Sequence, residues 1–187
     1  MLPLHTTQLL PLDRDNPTHI RALVEIWNFA FGEEYAISER FAAFNLRPSP
    51  GVTQRGWLAV ADNWAQGAVI ASLLDGYPQV AGPTVGWIDA LVVAPAAQRQ
   101  GLGGRLLAVA EQWLHEHGRS YISIGAGLRP FAPGVPVTME LAPFFVRHGY
   151  TELDAAGEPQ ITYDVAANLA HYRPPAGLRE LPAAVRP

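Results

Sequence analysis

A long apolar strand that runs into a glycine-bearing turn and then an amphipathic helix constrains the fold more than any other feature of this sequence. Residues 85–93 are apolar except for a single acid, Asp89, which is typical of a strand buried in a sheet. Residues 102–117 then place apolar side chains on one helical face, and residues 121–124 form the next predicted strand. A strand, helix, strand order of this length implies a parallel strand pair joined by a right-handed crossover.

The rest of the chain predicts mostly antiparallel pairing around that unit. Two apolar runs at 57–60 and 68–74, separated by a polar bend, predict a hairpin. The other predicted elements are a strand at 8–12, helices at 19–31, 38–46 and 138–148, and a closing hairpin at 150–153 and 161–165. We therefore expect an α/β (α+β) fold with a central mixed, mostly antiparallel sheet flanked by helices. One domain at 1–165 would be followed by a proline-rich tail at 166–187.

Composition excludes several classes of protein. The chain of 187 residues is 49% apolar and 16% charged, which is too apolar for a disordered protein. No run reaches the about 18 apolar residues that a membrane span needs. A net charge of −4 argues against general binding to nucleic acid, and the lack of cysteine excludes disulfides and thiolate zinc sites. The start of the chain at residues 1–5 has no basic and apolar leader, so we expect a cytoplasmic protein.

The glycine-bearing turn at residues 98–105 is the most informative stretch for function. Gly101 and Gly103 allow backbone N–H groups to approach an anion, and the start of the following helix adds a positive dipole end. Arg99 and Arg105 could reinforce such a site. The alternative is a turn that needs glycine only for packing. A Walker loop is excluded because no lysine follows Gly104, and the glycine spacing does not fit a dinucleotide-binding fold.

The pattern Gln98-x-x-Gly101-x-Gly103, coming after the strand end Val93-Ala94-Pro95, resembles the GNAT superfamily of acyl-CoA-dependent N-acyltransferases. The predicted order of elements over residues 6–165 is similar to that family as well. The resemblance implies a transferase that moves an acetyl group from acetyl-CoA to a primary amine by direct attack. It also implies a parallel strand pair that splays open beside the thioester.

The resemblance assigns the cofactor site to main-chain groups. The strand before the turn would face the pantetheine arm through Leu91, Val92 and Val93. The amides that would hold the pyrophosphate are those of Arg99, Gln100, Gly101, Leu102, Gly103 and Gly104. Leu91, Val92 and Val93 are also expected to be plain core residues, and the two roles are compatible because binding would use the backbone.

Asp89 is the candidate general base, since the resembling family places an acid at this strand position near the amine. The alternative is an acid that only binds a cationic substrate or is solvated. The family's usual acid is a tyrosine in the last helix, and here that position is Phe145. Water, Tyr121 or Tyr77 would have to replace it. The substitution also motivates a second hypothesis, a non-catalytic acyl-CoA-binding or regulatory module. A nucleotide-binding domain of another kind is the third.

Other candidates have simpler structural explanations beside the functional one. His115 and His117 are two positions apart and would point to different sides of a helix, so we expect no metal site. Thr138 lies where a CoA-contacting residue is frequent in the family, or caps a helix. Residues 33–35 would face the amine acceptor or be solvated loop residues. Residues 131–136 would form a wall of the acceptor site or only brace the sheet. The expected partner is a small-molecule or peptide amine, and a homodimer is possible.

Overall fold

The computed structural model describes residues 7–125, 127–132, 134–136 and 139–151. It contains one sheet of five strands in the spatial order β1-β2-β3-β4-β5. The strands are β1 (Gln8–Pro11), β2 (Val52–Ala61), β3 (Trp64–Leu74), β4 (Val85–Val93) and β5 (Tyr121–Ile124). Neighbours pair antiparallel from β1 to β4, whereas β4 and β5 are parallel. The predicted mixed, mostly antiparallel sheet is therefore confirmed.

Four α-helices flank the sheet within the described residues: α1 (Pro17–Phe31), α2 (Glu39–Leu46), α3 (Leu102–Glu116) and α4 (Ala142–Arg147). Side-chain caps fix where the first two begin. The Asn16 carboxamide oxygen accepts from the Thr18 N–H, and the Ser38 hydroxyl accepts from the Phe41 N–H. After α3, Gly118 has a φ of +75°, the left-handed conformation that suits glycine at a helix end.

The core has two parts, one on each face of the sheet. One part packs α1 and α2 against alternate strand residues that include Leu58, Ile70 and Ala90. The other packs α3 against the opposite face, with Leu106 and Leu114 fully buried. This double coverage explains why β4 is apolar along most of its length, since its side chains are buried on both faces.

Some predicted boundaries differ from the structure. The hairpin strands extend beyond 57–60 and 68–74, because Asp62 and Asn63 both adopt positive φ and close a turn of only two residues. The last helix begins at Ala142 instead of 138, with a proline in its first turn. The second strand of the closing hairpin, the domain boundary at 165 and the tail lie outside the described residues. Within the described part, no helix is long and apolar enough to span a membrane.

Candidate active site

Asp89 lies at a β-bulge in β4. On β3, Ile70 pairs with Ala90. The next β3 residue, Ala71, pairs with Ile88, which leaves Asp89 as the extra residue in the ladder. A bulge re-aims the side chain of the extra residue, and such irregularities are frequent next to active sites. The Asp89 side chain is thereby turned into the protein, and the residue is only 3% exposed.

Two polar side chains on neighbouring strands hold the Asp89 carboxylate. Gln54 on β2 donates from Nε2 to Oδ2 over 3.1 Å, and Ser72 on β3 lies close enough to lower the pKa of the carboxyl. Gln54 and Ser72 are paired directly across the β2–β3 ladder, so one polar row crosses three strands. Burial raises the pKa of Asp89 from 3.8 to about 6, against the two hydrogen bonds that lower it. Asp89 is therefore largely ionised at pH 7 and still basic enough to take up a proton near neutrality.

The other carboxylate oxygen of Asp89, Oδ1, is free to accept a hydrogen bond or a proton. Among the described residues, Oδ1 has no hydrogen-bond partner. Gly127 packs beside it so closely that a Cβ at that position would lie 2.5 Å from Oδ1. The absence of a side chain at Gly127 thus makes room for the carboxylate. A buried, unpaired carboxylate oxygen is costly, and sites of chemistry are where such groups are found.

The parallel strands β4 and β5 part immediately beside Asp89. Their pairing ends where Ile88 meets Ile124, while β4 continues to Val93. Beyond that point the chain bends back over the gap, and the Phe131 N–H donates to the Asp89 carbonyl over 2.9 Å. No described strand pairs with β4 on this side after Ile88. The opening leaves the main-chain groups of Leu91 and the Val93 N–H facing a gap, whereas the Val92 carbonyl lies toward Gly67 of β3 and the Val93 carbonyl accepts from Gln98.

A pocket lies at this opening and is lined by residues from both faces of the sheet. On the face covered by α3, it is lined by Leu91, Ile124 and Phe145. On the face covered by α1, it is lined by Trp27 and Phe31. Asp89 and Tyr35 line the same pocket. The bulged Asp89 therefore lines a pocket to which both faces of the sheet contribute residues.

The turn between β4 and α3 presents a row of free amides. Within the described residues, no hydrogen bond occupies the N–H groups of residues 99–104, and the first helical bond runs from the Arg105 N–H to the Gly101 oxygen over 3.1 Å. A side chain that precedes these amides stabilises the turn, since Gln98 Nε2 donates to the Val93 oxygen over 2.9 Å. Free N–H groups at the start of a helix form a site for an anion.

The three glycines of the turn have different structural roles. Gly101 has a φ of +80° and no atom within 4 Å of where a Cβ would stand, so its side is open. Gly103 lies against α4, where a Cβ would be 3.3 Å from the Phe144 ring. A Cβ on Gly104 would lie 2.9 Å from His148 Nε2. The packing explanation therefore holds for two glycines, and the open approach to the amides rests on Gly101.

The candidate basic residues do not both face the turn. The Arg105 guanidinium donates to the Thr7 carbonyl over 3.0 Å and so holds the start of β1 instead of reinforcing the free amides. Arg99 is exposed, with a φ of +60°. The sequence pattern could not separate these two arginines, because the direction of a long side chain depends on its tertiary neighbours.

Neither of the two tyrosines expected as substitutes for the missing acid, Tyr121 and Tyr77, lines the pocket. Phe145 lines the pocket with an aromatic ring that has no proton to give. Tyr121 pairs with Val85 at the far end of β5, and Tyr77 packs beside Gly51. Among the described residues that line the pocket, the phenol belongs to Tyr35, in the 3₁₀ turn Glu33–Tyr35 after α1.

Several other candidates lie apart from this site. The Tyr150 hydroxyl donates to Glu111 over 2.7 Å on the α3 side, and burial, together with this acid, raises the pKa of Tyr150. His117 Nδ1 bonds to the Trp113 oxygen over 2.7 Å. The part of the chain that the structure describes holds no group of three or more metal-ligating side chains. Thr138 lies outside the described residues.

The sequence-based hypothesis did not include the residues that hold Asp89. Gln54 and Ser72 are polar residues in strands, and Ser72 interrupts an otherwise apolar run at 68–74. That interruption was the available signal, because a polar residue inside a buried strand needs a partner. Gly127 carried no comparable signal, since a glycine in a loop has many explanations.

Solved structures of N-acetyltransferases share this fold at low sequence identity. A tandem GNAT protein from the clavulanic acid biosynthesis pathway is 19% identical with a TM-score of 0.61, over 77% of this chain and 43% of its own length. A glucosamine N-acetyltransferase region in a fungal multidomain beta-N-acetylglucosaminidase is 21% identical with a TM-score of 0.68, over 82% of this chain and 18% of that one. This chain thus spans less than half of either protein.

A third similar structure matches almost end to end. It is an aminoglycoside acetyltransferase from an uncultured soil metagenomic sample, solved in complex with sisomicin, 16% identical with a TM-score of 0.57, over 84% of this chain and 93% of that chain. No curated protein sequence matches the chain. The sequence profile described as Acetyltransferase (GNAT) family matches residues 20–129, which is more than half of the chain. This stretch contains most of α1, the bulge, the opening and the free amides. The chain belongs to the GNAT acetyltransferase family.

Proposed function

We propose that this protein transfers an acetyl group from acetyl-CoA to a primary amine by direct attack of the amine on the thioester. The observation that carries the proposal is the position of Asp89, a buried carboxylate with one free oxygen beside an opening between two parallel strands. Family membership supports acyl transfer in general terms. The amine-specific chemistry and the roles of individual residues are our proposal.

Acetyl-CoA fits the features on the α3 side of the sheet. The pyrophosphate would be bound by the amides of residues 99–104, where Gly101 leaves the approach open. The pantetheine arm would lie along Leu91, Val92 and Val93, on the edge of β4 that has no described strand partner beyond Ile88. A solved aminoglycoside 6'-N-acetyltransferase of similar fold is a complex with coenzyme A, 24% identical with a TM-score of 0.50 over 63% of this chain and 61% of its own length. The bound thioester supplies the electrophilic carbonyl carbon.

Asp89 would act as the general base. As the new C–N bond forms, the nitrogen becomes acidic and loses its proton to Oδ1, the oxygen without a partner. Gln54 bonds to the other oxygen, Oδ2, and would keep the orientation of the carboxylate fixed. With a pKa of about 6, the carboxylate is available as a base at neutral pH. The C–S bond then breaks, and the products are an acetamide and free CoA thiol.

The leaving thiolate needs no protein acid close to neutral pH. A thiol has an ordinary pKa of about 8.5, so thiolate is an acceptable leaving group and can take its proton from water. Phe145 is compatible with this reaction, although it gives up the rate gain that a positioned acid provides, about 10² to 10⁴. Tyr35 is placed to contact the acceptor, because it lines the pocket on the α1 side together with Trp27 and Phe31.

A thiol-release assay with a panel of amines tests the function. Purified protein is mixed with acetyl-CoA and each amine, and free thiol is measured over time. We expect amine-dependent thiol release that falls about 10²-fold or more in Asp89→Asn. Asp15→Asn is the matched control, because Asp15 is an exposed acid in the turn before α1 and carries the same charge. A wild-type protein that binds CoA and releases no thiol with any amine would instead be the acyl-CoA-binding module that Phe145 suggests.

A further inference from the structure

The pocket wall on the α1 side of the sheet is apolar and aromatic. Trp27, Phe31 and Tyr35 line it from the helix and the turn that follows, and Ala132 and Val135 line it from the loop after β5. Among the described lining residues, Asp89 is the single one with a carboxylate or an ammonium group. A molecule that approaches Asp89 from this side therefore meets one carboxylate, the Tyr35 side chain and otherwise apolar side chains.

This wall is fixed in place by its own contacts. Trp27 is 3% exposed, and its indole N–H donates to the Tyr35 carbonyl over 2.8 Å, which ties the 3₁₀ turn to α1. The Trp27 ring lies 4.4 Å from that of Phe31 and 5.6 Å from that of Phe131. Because these rings support one another, the wall cannot easily rearrange to offer polar groups to a ligand.

Such a surface selects among amines by their charge and polarity. One buried carboxylate can neutralise one cation, and a second ammonium group would lose water without gaining a carboxylate among the described lining residues, where Tyr35 supplies the one side-chain hydroxyl. Each methylene that is buried there contributes about 0.8 kcal/mol. We propose that the acceptor is a monoamine with an aliphatic or aromatic body, not a polyamine or a polyaminated sugar. The proposal rests on the acyl-transfer function proposed above.

Relative kcat/KM values for defined amines test this substrate class. Butylamine, pentylamine, hexylamine and phenethylamine are compared with spermidine and kanamycin in the thiol-release assay. We expect kcat/KM to rise about three- to fourfold per methylene from butylamine to hexylamine. Spermidine and kanamycin should lie at least about tenfold below hexylamine.

Two charge variants make the test specific to the wall. Val135→Asp adds a second carboxylate to the pocket and should raise the ratio of spermidine to hexylamine kcat/KM about tenfold or more. Val80→Asp is the matched control, since Val80 is 59% exposed between β3 and β4, does not line the pocket and gives the same change in net charge. A ratio that moves equally in both variants would overturn the assignment of the wall to the acceptor.

The outcomes separate this inference from the proposed function. Thiol release that is fastest with kanamycin or spermidine and flat along the alkylamine series refutes the substrate class and leaves the transferase proposal standing. If no amine supports thiol release, the transferase proposal fails. Calorimetric binding of hexylamine and spermidine to the CoA-saturated protein then still decides the class, because tighter binding of spermidine would contradict it.

Discussion

Replacing Asp89 by asparagine should stabilise the protein at neutral pH while it removes activity. Asp89 has a pKa of about 6 in the folded protein and an ordinary value of 3.8. Between these values the unfolded chain has lost this proton and the folded chain still holds it, so the free energy of unfolding falls as pH rises through this window. The full loss is about 3 kcal/mol, from about 1.4 kcal/mol for each pH unit.

The comparison with Asn isolates this effect. Costs of the substitution that do not depend on pH, such as an unpaired amide N–H beside Gly127, cancel when the difference between wild type and Asp89→Asn is followed from pH 4 to pH 7.5. Over that interval, the stability of the variant relative to wild type should rise by about 2 kcal/mol. Other titrating groups contribute equally to both proteins.

Urea unfolding followed by fluorescence of the five tryptophans measures this difference. The reasoning requires equal m-values and a midpoint gap that grows with pH. A gap that stays constant between pH 4 and pH 7.5, or shrinks, would show that the folded protein does not hold Asp89 in a desolvated site. Asp15→Asn, which removes the same charge from an exposed position, is the matched control.

Three further predictions test other parts of the site. Gln54→Leu removes a hydrogen bond that lowers the pKa of Asp89, so less of the carboxyl should be ionised at pH 7. Activity relative to wild type in the same buffer should fall about two- to fourfold at pH 7 and return to the wild-type level at pH 9. A loss that persists at pH 9 would contradict this role. Gly101→Glu should weaken CoA binding at least about tenfold in calorimetry, since a carboxylate would face the free amides. Gly118→Glu is its control, because Gly118 also has positive φ and open space around it; equal losses in both would place the pyrophosphate elsewhere. Phe145→Tyr should raise kcat by up to about 10², and an unchanged kcat would mean that position 145 lies away from the leaving thiol.

The architecture was accessible from the sequence because its main signals are local. The nearly unbroken apolar run of β4, the turn and the periodicity of α3 together require a parallel crossover, and the structure has it. The caps at Asn16 and Ser38 were also readable, since the capping residue lies next to the helix it starts. The hairpin was predicted in the right place, but both of its strands were predicted too short, because polar residues in strand positions weaken the alternating pattern.

The candidate site was less accessible because it depends on tertiary register. Asp89 stood out as the single acid in β4, but nothing local shows that it is the extra residue of a bulge. Its contacts with Gln54 and Gly127 join residues that are far apart in the chain. The resemblance supplied the expected role of the turn. The different surroundings of its three glycines could not be predicted, because they depend on where α4 packs.

The opening between β4 and β5 has a consequence for the order in which the proposed substrates bind and the products leave. If donor and acceptor enter from opposite sides of the sheet, neither blocks the route of the other, and both can be bound when reaction occurs. Double-reciprocal plots of initial rate against one substrate, at several fixed concentrations of the other, would then give intersecting lines instead of parallel ones. Spent CoA could also depart on its own side while the acetylated amine is still in place.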